Sequence, residues 1–93
     1  MEAEREQSRL RFERYKENLD SVFSQLKPEL RKADANAGKV VDLARRYFED
    51  AVYFKEGGQL TTALISMAYC EGLLDTLRLL KIVDFKWEAG ERR

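Results

Sequence analysis

Three charged side chains in the last third of the chain have the spacing that chemistry requires. Glu71, Asp75 and Arg78 stand at i, i+4 and i+7, on one stripe of a helix. Two carboxylates one turn apart repel by about 0.2–0.5 kcal/mol on an exposed helix, and by more when desolvated. Arg78 relieves Asp75 from three residues along. Asp50 falls on the border between the two faces of the preceding helix. Tyr53 falls on its polar side, where core packing has no use for a ring. Two readings compete. In the first, Glu71, Asp75 and Arg78 are the surface end of a stripe, held by ordinary ion pairs. In the second, they line a partly buried polar pocket between helices, with Asp75 as acceptor and Tyr47, Tyr53 or Tyr69 nearby. Structural ion pairs perturb carboxylates as often as functional sites do, so the first reading leads.

Other chemistry is poorly served. The chain has no histidine and one cysteine, Cys70. The commonest general base and zinc ligand is therefore missing, and so is any intrachain disulfide framework. No catalytic residue is expected. Cys70, in an apolar stretch with no histidine to activate it, reads as a small core residue. Two carboxylates hold Mg²⁺ only with further oxygen ligands or a substrate phosphate, and no glycine-rich phosphate loop is present. No metal and no cofactor is expected.

Lys plus Arg equals Asp plus Glu at 17 each. No overall field then draws the chain to nucleic acid or to an anionic membrane. Arg9, Arg11, Arg14 and Lys16 are interleaved with Glu13 and Glu17, which reads as a solvated face. The opening MEAEREQSRL is no signal peptide, and no run is long and apolar enough to span a bilayer. The cytoplasm is the expected location.

The elements that must position these residues are helices. Within a single domain of residues 1–93, the first spans about 2–27, where Phe12, Tyr15, Leu19, Val22 and Leu26 mark one face and Leu10 and Phe23 widen it. Pro28 ends or kinks it, and a link covers about 27–36, with Leu30 on a short extra turn from Pro28 to Lys32. Asp34 and Asn36 both suit the next N-cap. The second helix spans about 36–56, with Val40, Ala44, Tyr47, Ala51 and Phe54 inside and Leu43 and Phe48 on its flanks. Gly57 and Gly58 stop it, one of them in the left-handed conformation, so the third helix must return antiparallel.

The third helix spans about 59–80 and carries three stripes. One contains Ala63, Ser66, Cys70, Leu74 and Leu77. Another contains Ile65, Tyr69, Gly72, Thr76 and Leu79. The third runs through Leu60, Leu64 and Met67 into Glu71, Asp75 and Arg78. The first two are largely apolar, which implies more than one packing neighbour. Gly72 costs about 1 kcal/mol against Ala, tolerable if another backbone approaches there. The irregular tail, 82–93, lays Phe85 or Trp87 on the bundle and ends in disorder from Gly90. The fold class is all-α: a three-helix up-and-down bundle with a long first helix, the second and third forming an antiparallel hairpin.

Tyr47-x-x-Asp50-Ala51-x-Tyr53-Phe54-x-x-Gly57, followed by Ala63, Tyr69, Gly72-x-Leu74-Asp75 and Arg78, resembles an archaeal family designated domain of unknown function 357. The resemblance covers about Leu43 to Leu80. It implies a compact three-helix bundle from an archaeon, and no activity; some members are joined to nucleotidyltransferase-like domains. Members often carry a His where this chain has Glu71, and a Gly near Leu80. Asp50 and Asp75 are the positions best carried over. The hairpin also resembles a single tetratricopeptide unit, but one unit makes no solenoid. The functional expectation is a non-enzymatic interaction or structural module. It would bind a protein partner or a second copy of itself through Leu60, Leu64, Met67 and Trp87. The alternative is an accessory domain for a small ligand or nucleotide metabolism, with a polar site around Asp50 and Asp75.

Overall fold

The described residues form three helices: α1 (Glu2–Gln25), α2 (Ala35–Glu56) and α3 (Leu60–Leu79). The computed structural model describes residues 2–26 and 34–87, and there is no strand among them. The expected turn from Pro28 to Lys32, and the end of the tail, lie outside the described residues.

Asp34 sets the start of α2. Its backbone is extended, and its carboxylate accepts the Ala37 N–H at 3.0 Å. Of the two candidate caps, Asp34 therefore serves, and Asn36 lies within the first turn. At the other end, Gly58 takes the left-handed conformation at φ 83°. The Gln59 N–H donates to the Phe54 carbonyl at 2.8 Å and the Gly58 N–H to Lys55 at 3.1 Å. These are the two reversed bonds of a Schellman close. Gly57 stays at φ −83°, so only the second glycine does work that a side chain forbids.

The same close recurs at the end of α3, with Lys81 in the glycine position at φ 62°. The Ile82 N–H donates to Leu77 and the Lys81 N–H to Arg78, both at 3.0 Å. A lysine there costs about 1 kcal/mol against glycine.

The tight turn returns α3 along α2. Ala37, Ala44 and Ala51 recur every seventh residue on α2, and Ala63, Cys70 and Leu77 do so on α3. All six are buried. Counting outward from the turn sets Ala51 level with Ala63, Ala44 with Cys70, and Ala37 with Leu77, so small side chains line the seam. Tyr47 stacks on Tyr69 across it, centroids 4.6 Å apart.

α1 closes the bundle with Phe12, Leu19, Val22 and Phe23. It runs antiparallel to α2: Glu13 pairs with Lys55 at 3.3 Å, and Phe23 meets Phe48 edge-on at 5.6 Å. The Arg45 guanidinium lies 4.3 Å over the Phe23 ring. Fully burying Phe12, Leu19, Met67 and Leu74 contributes about 1.5–3 kcal/mol each. Leu10 does not join this face and is 52% exposed. It stands two residues, or about 200°, from Phe12, and so points the other way.

After α3, Gln25 clasps the tail. Its amide nitrogen donates to the Lys86 carbonyl at 2.9 Å, and its oxygen accepts the Lys86 N–H at 2.9 Å. Phe85 is thereby buried, edge-on to Trp87 at 5.1 Å. The close backbone approach that would make Gly72 tolerable is not found among the described residues, where a Cβ at this position would meet nothing within 4 Å.

These closes separate three substitutions by chemical denaturation. Gly58→Ala is expected to lose about 1–2 kcal/mol and Gly57→Ala less than about 0.5. Lys81→Gly is expected to gain about 0.5–1 kcal/mol. Equal effects at positions 57 and 58 would contradict the assignment of the left-handed residue.

Candidate functional site

The two carboxylates of the polar triad lie inside the bundle, and Arg78 reaches in from its edge with 31% of its side chain exposed. Glu71 is 9% exposed and Asp75 8%. The stripe that begins with Leu60 and Leu64 and passes through Met67 faces inward along its whole length, and carries the two carboxylates in with it. Arg78 holds Asp75 with two nitrogens: Nε donates to Oδ1 at 3.1 Å and Nη2 to the same oxygen at 2.9 Å. Glu71 and Asp75 each make further interactions. The Arg78 guanidinium also sits 5.9 Å above the Phe85 ring. The clasped tail thus forms one wall of the polar cluster, and the guanidinium spans carboxylate and aromatic.

Cys70 precedes Glu71 and is fully buried. Burial pushes its thiol up to about 12; the Glu71 charge adds to the rise and Arg45 opposes it. A thiol so placed is protonated at neutral pH and is a poor nucleophile. Among the described residues, no group of three or more His, Cys, Asp and Glu side chains could hold a metal ion. What the cluster can do is bind charge: two carboxylates and a positioned guanidinium, with no activated nucleophile among them.

The other predicted site residues lie elsewhere. Asp50 is on the exposed side of α2, and Tyr53 is 73% exposed, edge-on to Phe54 at 5.8 Å. The same count from the turn sets Asp50 level with Leu64 and Asp75 level with Lys39, about 16 Å apart along the hairpin. Asp50 and Asp75 therefore do not share a site. The cause is the antiparallel return, which carries residues at unequal distances from Gly58 to opposite ends.

The predicted contact residues are also corrected. Met67 is fully buried, and Leu60, Leu64 and Trp87 pack against the core. The exposed apolar face of α3 is the stripe expected to meet a second neighbour: Ile65 is 63% exposed, Tyr69 55% and Leu79 67%, with Gly72 and Thr76 between them. Leu43 of α2 and Leu80 extend it. Its signal in the sequence was the absence of charge along the stripe, which reads the same for an internal face and an external one.

A family model described as protein of unknown function (DUF357) matches residues 14–83. No curated protein and no solved structure matches. No helix among the described residues is long and apolar enough to cross a membrane.

Two measurements check the cluster. Asp75→Ala leaves Arg78 without its acceptor in a mostly dry setting, and is expected to lose about 1–3 kcal/mol in urea unfolding. An unchanged midpoint would mean that the pair is idle. Cys70 should resist thiol reagents at neutral pH until the chain unfolds. Its folded-state value lies above the ordinary thiol range of about 8.5. The stability it contributes is complete below that range and is lost as pH rises towards about 12. Rapid modification of the folded chain would contradict the buried placement.

Proposed function

The chain belongs to the DUF357 family, whose model matches residues 14–83, and we propose that it is a non-enzymatic protein-interaction module whose outward α3 face receives a helix. The observation that carries this reading is the stripe Ile65, Tyr69, Gly72, Thr76 and Leu79. Its spacing of four, three, four and three is that of a coiled-coil seam. Each of its five residues is exposed. No charged side chain interrupts it, in a chain of which 37% is charged. Exposed apolar residues scattered singly need no explanation, whereas a contiguous line of them does.

Helix-in-groove recognition reads anchors at this spacing. The stacked pair Tyr47–Tyr69 offers a flat aromatic floor, and Leu43 flanks it from α2. The buried cluster of Glu71, Asp75 and Arg78 takes a supporting part in this reading. It stabilises the rotation of α3 that the small-residue seam with α2 sets, and with it the stripe that faces outward.

Photo-crosslinking tests the proposal. Purified protein with a photoreactive phenylalanine in place of Tyr69 is irradiated in extract of the source cells. A second preparation carries the same group in place of Glu49, on the charged face of α2. Adducts, with itself or with another chain, are expected from position 69 and not from position 49. No adduct at 69, or equal labelling at both, would remove the reading.

A further inference from the structure

The occupant of this face, we propose, is a second copy of the same chain, with the two α3 helices packed antiparallel and crossing at Gly72. The inference rests on the interaction reading above and adds the identity of the occupant. Three observations support it.

First, no described residue of one protomer explains Gly72. A glycine in mid-helix is costly relative to alanine. Among the described residues nothing lies within 4 Å of the Cβ it lacks, and its conformation is ordinary helix rather than left-handed. A glycine that no described neighbour needs, at the middle of an exposed apolar stripe, fits a second helix approaching from outside.

Second, the stripe is complementary to its own reverse. Across a two-fold axis at Gly72, Ile65 of one copy faces Leu79 of the other, seven residues to either side. Tyr69, the largest member, three residues before the crossing, has as its nearest facing stripe residue Thr76, four residues after it and one of the smallest, so bulk meets space on both sides of the crossing. Thr76 already donates its hydroxyl to the Gly72 carbonyl at 2.8 Å, and brings no unsatisfied donor into the contact.

Third, charge and area suit self-pairing. Between Leu60 and Leu80 the only charged residues are Glu71, Asp75 and Arg78, and all three belong to the inward stripe. Two identical faces then meet without like-charge repulsion, and nothing on the stripe selects an acidic or basic partner. Ile65, Tyr69, Leu79, Leu80 and Leu43 together present on the order of 600 Å² of accessible surface. That approaches the roughly 800 Å² per partner of a standard interface. Flanking Thr61, Ala68 and Thr76 make up much of the difference. Area alone does not set affinity, and the range in which self-association is expected is broad, roughly 1–100 μM.

Sedimentation equilibrium across that range tests the pairing, with thermal unfolding measured at low concentration where the chain is monomeric. Gly72→Ala is the informative variant, because its two effects have opposite sign. The monomer should gain about 4–8 °C in Tm, as a helix relieved of a glycine with no internal clash. Self-association should weaken at least tenfold, because the two backbones can no longer close. Ile65→Lys, at an exposed position that leaves the fold intact, should weaken it at least a hundredfold. A wild-type chain that stays monomeric to millimolar concentration overturns the proposal. So does a dimer that neither substitution weakens. If the chain is monomeric yet position 69 still forms adducts with a different protein, self-pairing fails and the interaction reading stands. If it forms none, both fail.

Discussion

The constraint on which the structure depends is the narrowness of the seam between α2 and α3. Ala37, Ala44 and Ala51 meet the level of Ala63, Cys70 and Leu77, so most rungs offer one or two carbons where a core would ordinarily place four. Close approach brings dispersion contacts that larger side chains would hold apart. It also fixes rotation, because a helix turned by one position would put Ile65 or Tyr69 into a gap sized for alanine. The short glycine turn supplies the register and the alanines supply the distance. α1 then has one hydrophobic valley to fill, and does so with Phe12, Leu19, Val22 and Phe23.

The buried charge follows from that rotation. With Ala63, Cys70 and Leu77 locked against α2, the stripe of Leu60, Leu64 and Met67 is turned inward, and Glu71 and Asp75 go in with it. A carboxylate taken out of water is tolerated only with good partners. Arg78 supplies two donors, and the tail supplies Phe85 beneath the guanidinium. The clasp of Gln25 on the Lys86 backbone joins the end of α1 to the tail. The polar cluster therefore depends on both ends of the chain, although its three residues occupy two turns of one helix.

Much of this was legible in the residue order. The all-α class, the long first helix, the reversal at Gly57–Gly58, the Asp34 cap, the placing of Ala44 and Ala51 inside α2 and the docking of Phe85 all follow from local signals: period, cap chemistry and glycine. The buried Val41, one position from the expected and only half-buried Val40, does not. The failures share a cause. Which of three stripes on α3 faces out is decided by packing against α1 and α2; composition cannot rank two stripes that are both apolar, and the charge on the third argues for the surface although that stripe turns inward. Hence Met67 reads as a contact residue when it is core, and Ile65 reads as core when it is exposed. Asp50 and Asp75 read as one site because both stand out by type. Their distances from the turn, which the sequence does contain, place them at different levels of the hairpin.

A count of faces explains why an apolar stripe is left over at all. In a three-helix bundle each helix has two neighbours, which together cover roughly half of its circumference. α1 and α2 obey this limit and show charge to water. α3 does not: apart from Glu71, Asp75 and Arg78, which point inward, it is uncharged from Leu60 to Leu80. Leaving Ile65, Tyr69 and Leu79 in water forgoes on the order of 1–2 kcal/mol each relative to burial. A single polar substitution at Ile65 or Leu79 would lower the risk of aggregation with no loss to the internal core. Stability of the lone protomer therefore does not account for the composition of α3. A helix with one face more than its own bundle can cover is the composition expected where a fourth helix completes the packing.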